Sequence, residues 1–165
     1  MKKRITYTLI MFAFALVLVA VDMWTKVLAS TNLMGQVWVL IPNFLCLTYV
    51  ENTGAAFGMF SGNTTFLIIF TIVFIVVFLL FDIFNHSNNI FYRLGYILVF
   101  SGAIGNFIDR ICFHYVRDFI SMQIFPFVFN MADVFITVGV GLLMVYIVFY
   151  LFETNDKPKG KEKKK

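Results

Sequence analysis

Charge is what this chain has least of: Asp, Glu, Lys and Arg make up 13% of its 165 residues, about half the share of an ordinary soluble domain. Cysteine and histidine are scarce as well, with two of each. Two cysteines build no disulfide framework, although Cys46 and Cys112 are both expected on the outer side, where a bridge between them is chemically allowed. His86 and His114 are expected on opposite sides of a membrane, and the sequence has no HExxH, which argues against a metalloprotease. Cys112 and His114 stand two apart, a spacing that turns them away from each other on a helix; Cys112 reads as a small apolar filler and not as a nucleophile. No internal repeat and no second domain is visible. Residues 1–152 are expected to form one integral-membrane unit, followed by a lysine-rich tail over 153–165.

What the chain has in abundance is apolar surface: 61% of residues are hydrophobic, 22 of them phenylalanine, and the mean hydropathy is +0.88. Four apolar runs, 5 to about 28, 65–81, 90–108 and 127–152, each approach the ~20 residues that cross a bilayer as a helix. The first run is longer than the ~7–15 residues of a signal-peptide core, and Asp22 and Lys26 interrupt its end, so it is expected to stay as an anchor. The expected fold is therefore an all-α membrane protein of four transmembrane helices. Between the first two, QVWVLIPNFLCLTYVENTGAAFGMF is too polar and too interrupted at Pro42 and Gly54 to span. Its β-branched and aromatic residues predict a small extracytoplasmic β-rich segment over about 30–62, with Trp38 and Tyr49 at headgroup level.

The thirteen Lys and Arg set the orientation: three open the chain and six lie in the terminal KPKGKEKKK, which places both ends in the cytoplasm. The net charge of +4 comes from these tails, and a lysine tail beside a membrane suits anionic lipid better than nucleic acid. Arg110 and Arg117, in the outer link between the third and fourth helices, run against the usual bias. They are expected to have a specific task.

Among the polar constellations, Asp22 and Lys26 lie four apart and can pair on one helix face. A structural ion pair is the simpler account, since charges in a membrane are rarely left unpaired. SGAIG at 101–105 and GVG at 139–141 provide small residues where helices can approach closely. Asp109 beside Arg110 reads as an ordinary surface pair. Asn106, Asp109 and Arg110 fall at the outer end of the third helix, Asn130 and Asp133 at the outer start of the fourth, and Asp118 in the loop between, able to fold back beside Asp133. Two carboxylates in one low-dielectric site cannot both ionise cheaply, so one tends to keep its proton, a division that peptide hydrolysis by activated water requires. The same residues also suit a helix cap or an ion pathway. A small proton-coupled exporter would hold its key acid near mid-membrane, however, and a non-catalytic assembly factor would use the outer segment for docking.

Five stretches, in order, resemble the signature of the lipoprotein signal peptidases (signal peptidase II), aspartic proteases of bacterial membranes. DMWTK at 22–26 is similar to the family's D-x-x-T-K, ENTGAAFG at 51–58 to N-x-G-A-[AS]-[FW]-G, and GAIGNFIDR at 102–110 to G-x-x-G-N-x-x-D-R. VRDF at 116–119 is similar to V-x-D-[FY], and FNMAD at 129–133 to F-N-x-A-D. The resemblance implies a catalytic pair of Asp118 and Asp133, supported by Asn106, Arg110 and Asn130, with Asn52 and Gly54 in an outer segment that closes over the site. Asp22 and Lys26 are then structural or substrate-facing. Arg117 stands where the family commonly has an apolar residue, and is expected to bear on the Asp118 proton or on lipid phosphate. The implied substrate is a prolipoprotein whose lipobox cysteine carries diacylglycerol, cut just before that cysteine. No metal or cofactor is implied. The expected partners are this substrate and membrane lipids, without nucleic acid, the chain acting as a monomer.

Overall fold

The structure, a computed structural model, describes residues 2–54, 59–85, 87–125 and 127–155. Residues 55–58 of the ENTGAAFG stretch, His86 and the lysine tail from 156 onward lie outside the described residues. The elements follow in the order α1 (Lys2–Asn32), β1 (Val37–Ile41), β2 (Leu45–Asn52), α2 (Thr64–Asn85), α3 (Ile90–Phe113), β3 (Val116–Met122), β4 (Val128–Phe129) and α4 (Met131–Asn155). All four helices are long and apolar enough to cross a membrane, as the apolar runs predict. A helix satisfies its own backbone hydrogen bonds, which hydrocarbon cannot do.

The helix ends differ from the expected ones for local reasons. Helix α1 runs on to Asn32 because Ser30, Thr31 and Asn32 return side-chain hydrogen bonds to the Val27 and Leu28 carbonyls at 2.9, 3.0 and 2.8 Å. Helix α3 continues to Phe113, where His114 stops it in the left-handed conformation, φ 65°, with its N–H on the Arg110 carbonyl. Helix α4 starts at Met131, because Val128 and Phe129 ahead of it pair with β3.

The four strands form one antiparallel sheet in the order β1-β2-β3-β4. Strands β1 and β2 occupy the α1–α2 link as expected. The α3–α4 link, read from the sequence as a loop, supplies the other two, so Asp118 stands on a strand. Val116, Phe119 and Ile120 suit a strand, and VRDFISM finds its partner in β2 with Val50 opposite Asp118 and Asn52 opposite Val116. Because both links carry the sheet, it covers the one end of the helix bundle where α1 and α3 finish and α2 and α4 begin. Ala29 of α1 and Leu33 just after it pack against Phe119 there, with Leu47, Tyr49, Ile120 and Met131 around them. Tyr49 is thus partly in a core, whereas Trp38 is exposed on β1, all five of whose consecutive apolar residues are exposed.

Helix α3 lies at the centre and touches each of the other three. One face of α1 buries Ala15, Asp22, Lys26 and Ala29, steps of seven, four and three that trace one stripe of a helix, which the buried Leu33 continues just past the helix end. Helices α3 and α4 meet at small residues: a Cβ on Gly95 would lie 2.8 Å from the Gly139 carbonyl oxygen, and one on Gly139 would lie 2.8 Å from the Gly95 oxygen. The expected close approach therefore holds at Gly139, while Gly141 faces open space. At Gly102 a Cβ would overlap the Ala132 carbonyl oxygen, a backbone atom with nowhere to go. Gly102→Ala is expected to cost about 1–3 kcal/mol, seen as a lower Tm in detergent; an unchanged Tm would contradict this contact.

Candidate active site

Asp22 and Lys26 are one turn apart on the buried stripe of α1, and both are fully buried. The Lys26 ammonium lies 2.8 Å from Asp22 Oδ2 and 3.5 Å from Asp109 Oδ2, and donates to Asn106 Oδ1 at 3.0 Å. Asp22 accepts the N–H of Ala132 on its other oxygen, Oδ1, at 2.8 Å. An α1 carboxylate therefore secures the first turn of α4, where backbone N–H groups lack helical partners and favour negative charge. Gly105 makes room for it, since a Cβ there would overlap Asp22 Oδ2. The pair expected from spacing is present, and it ties α1 to α3 and α4.

Asp109 corrects the sequence reading. Its carboxylate is fully buried, and it pairs with Arg117 across the turn into β3, not with Arg110. Adjacent residues leave a helix about 100° apart, which directs Asp109 and Arg110 to different neighbours. Arg117 Nη2 donates to Asp109 Oδ1 at 2.6 Å, and the Arg117 backbone N–H donates to Oδ2 at 3.0 Å. The guanidinium lies over the Phe113 ring, 4.6 Å from its centroid, and is buried; it is not placed to meet a lipid phosphate. Arg110 instead donates from Nη2 to the Gly54 carbonyl at 3.2 Å, joining the end of α3 to the segment that follows β2.

Asn130 and Asp133 begin α4 with reciprocal bonds. The Asp133 N–H donates to Asn130 Oδ1 and the Asn130 N–H to Asp133 Oδ2, each at 3.1 Å, the arrangement of a capping box. The Asn130 side-chain amide then donates to Asp118 Oδ1 at 2.6 Å and to Asn106 Oδ1 at 3.1 Å. Asn106 gives its own amide hydrogen to Asp133 Oδ1 at 2.8 Å. Asn52, from β2, donates to Asp118 Oδ2 at 2.8 Å, and its Oδ1 accepts the Gly54 N–H at 2.9 Å. Asp118 and Asp133 thus sit in one amide network, each with both oxygens engaged. Burial, with the nearby charge of Asp133 adding to it, raises the Asp118 carboxyl from 3.8 to about 7, against the Asn52 and Asn130 hydrogen bonds that favour its ionised form.

Every sequence-derived site residue, Asn52, Gly54, Asn106, Arg110, Asp118, Asn130, Asp133, Asp22 and Lys26, joins this connected cluster. The member missed was Arg117 as the partner of Asp109; the available signal was its position in an outer link that should hold few cations. Cys46 is buried, Cys112 is exposed, and both are free, so they do not pair. His114 serves as the end of α3. Among the described residues no three His, Cys, Asp or Glu side chains are grouped so as to hold a metal ion.

Four membrane-crossing helices capped by a small sheet, with buried carboxylates and amides gathered beneath it, define a polytopic membrane enzyme as the class. The family model described as signal peptidase (SPase) II matches residues 14–149. The lipoprotein signal peptidase of Caldanaerobacter subterraneus subsp. tengcongensis is 43% identical over 141 residues, covering 82% of this chain and 96% of that one. That of Staphylococcus haemolyticus is 38% identical over 161 residues, covering 95% and 99%. A solved bacterial membrane enzyme, determined by the in meso method at 2.3 Å resolution, superposes with a TM-score of 0.77 at 37% identity, covering 93% of this chain and 94% of that one. The chain belongs to the signal peptidase II family, an aspartic peptidase family. It is a multi-pass bacterial membrane protein.

Proposed function

We propose that Asp118 and Asp133 form the catalytic dyad of an endopeptidase that removes the signal peptide from diacylglyceryl-modified prolipoproteins, cutting just before the lipidated cysteine. The observation that carries this reading is the shared amide network: Asn130 donates to both carboxylates, at 2.6 and 3.1 Å, where burial and the second charge keep a proton on the pair near neutrality. With one proton on the pair, the ionised carboxylate takes a proton from water as its oxygen bonds to the scissile carbonyl carbon. The protonated partner gives its proton to the carbonyl oxygen. Collapse of the tetrahedral intermediate breaks the C–N bond, and the leaving amine receives a proton from the dyad.

The surrounding residues hold this geometry. Asn52, Asn106 and Asn130 fix the carboxylate oxygens, while Arg110 and Gly54 keep the outer segment against α3, beside the peptide. Asp22 and Lys26 act structurally. The lysine distribution supports cytoplasmic termini, which puts the sheet and the dyad at the extracytoplasmic face, and the acyl chains of the substrate would fix its scissile bond at that depth. The chain carries this out as a monomer, without metal or cofactor.

The test is cleavage of a synthetic lipidated precursor by purified protein in detergent, read by mobility shift. The diacylglyceryl form is expected to be cut and the unmodified form left intact; no cleavage of the lipidated form by folded protein would contradict the proposal. Stability supplies a second check. Folding raises the Asp118 carboxyl from 3.8 to about 7, so its contribution to stability is full below about pH 4 and is lost as pH rises through about 7. The wild-type Tm is expected to fall between pH 5 and 8 by more than that of Asp118→Asn. Equal slopes would remove Asp118 as the proton-holding group.

A further inference from the structure

The Asp109–Arg117 pair takes no part in the proton transfers above, yet it sits where the dyad is aimed. Asn106 and Asp109 are three apart on α3 and share one face. Asn106 holds Asp133 through its amide at 2.8 Å. Asp109 holds β3 by accepting the Arg117 backbone N–H at 3.0 Å, one residue before Asp118. Lys26 secures both, 3.0 Å from Asn106 Oδ1 and 3.5 Å from Asp109 Oδ2. A single turn of α3 is thus the common reference for the two carboxylates.

We propose that Asp109 is a positioning residue for cleavage: by anchoring the Arg117 peptide to α3 it sets where the Asp118 side chain meets Asn130 and Asp133. This rests on the dyad reading above. Consecutive Cα atoms are about 3.8 Å apart, so a slip of the strand at Arg117 passes almost undiminished to Asp118. A displacement of about 1 Å can cost on the order of 100-fold in rate. The Arg117 guanidinium has a separate task. Asp22 and Asp109 bring two negative charges to the one Lys26 ammonium, and Arg117 neutralises the group; its backbone N–H, which any residue would supply, carries the positioning.

The two tasks separate in a pair of double variants. In Asp109→Asn/Arg117→Met the charges are removed together, and the Asn oxygen can still accept the residue-117 N–H while its amide points into the space left by the guanidinium. In Asp109→Leu/Arg117→Met the acceptor is gone. With full-length protein in detergent and a synthetic peptide carrying S-diacylglyceryl cysteine, the Asn variant is expected to keep kcat within about threefold of wild type. The Leu variant should lose about 10–100-fold in kcat with KM unchanged. Equal kcat per folded molecule in the two variants overturns the proposal, because a purely structural role alters yield and Tm but not kcat. Asp109→Ala/Arg117→Met adds no bulk and is judged by the same comparison should the Leu variant fold poorly. In the wild type the Arg117 amide is expected to exchange with solvent at least as slowly as the ladder amides of β3; rapid exchange also overturns it. Asp118→Asn in the same assay keeps the two readings apart. If it cleaves, the dyad assignment fails; if it is inactive while the Asn and Leu variants match, only the positioning role fails.

Discussion

Asp118→Asn and Asp133→Asn are each expected to reduce cleavage of the lipidated precursor by about a thousandfold or more. Asn has the shape of Asp, but it neither takes a proton from water nor delivers an acidic one. In the proposed mechanism the two groups share one proton, so either change disables the unit, and the double variant should be hardly slower than a single one. The wild-type rate should fall on both sides of an optimum, with apparent pKa values that belong to the pair. Each variant also disturbs its surroundings. Asp118 accepts from Asn52 and Asn130, and an Asn there turns one of those acceptors into a donor; at Asp133 the cap of α4 is weakened. A loss of about 1–2 kcal/mol of stability is expected in each case, so rates have to be referred to folded protein. A folded variant turning over near the wild-type rate would refute the aspartic mechanism.

The second large effect is expected at Lys26. It is fully buried, and its ammonium lies within ion-pair distance of Asp22 and Asp109. Lys26→Met leaves Asp109 with Arg117 but strands Asp22, and an uncompensated buried charge costs about 3–5 kcal/mol. For a chain of this size that lowers Tm by roughly 6–20 °C and is expected to reduce the amount of protein in the membrane. Asp22→Asn/Lys26→Met should recover part of the loss, since the Asn oxygen still accepts the Ala132 N–H. An undiminished Tm in Lys26→Met would show that the pair is dispensable for the fold.

What could be read from the sequence, and what could not, divides along local and distant interactions. The four helices follow from apolar run length, and the Asp22–Lys26 pair from a four-residue spacing. That Asp118 can approach Asp133 follows from helix direction and a short link, because the end of α3 and the start of α4 must lie on the same side and the link between them can fold back. The strand nature of β3 was not legible: its partner β2 lies more than sixty residues earlier, and no local pattern marks that pairing. The Asp109 partner was misread for the same reason. Neighbours in sequence suggested Arg110, whereas the fold supplies Arg117 through a turn that no periodicity encodes. The family motifs named residues that the fold gathers into one cluster, without saying which of them touch.

The sheet joins segments made at very different times. Strand β2 ends at Asn52 and its partner β3 begins at Val116. At about 5–20 residues per second of synthesis, Asn52 waits roughly 3–13 s for the strand that carries Asp118, and longer for the helix that carries Asp133. Until then β2 offers an open edge able to capture a foreign strand, and the two proposed catalytic carboxylates have not yet met. On the proposed dyad, proteolytic competence arrives only with the last helix, so a chain truncated before α4 is expected to leave an inert fragment in the membrane and not a partly active protease.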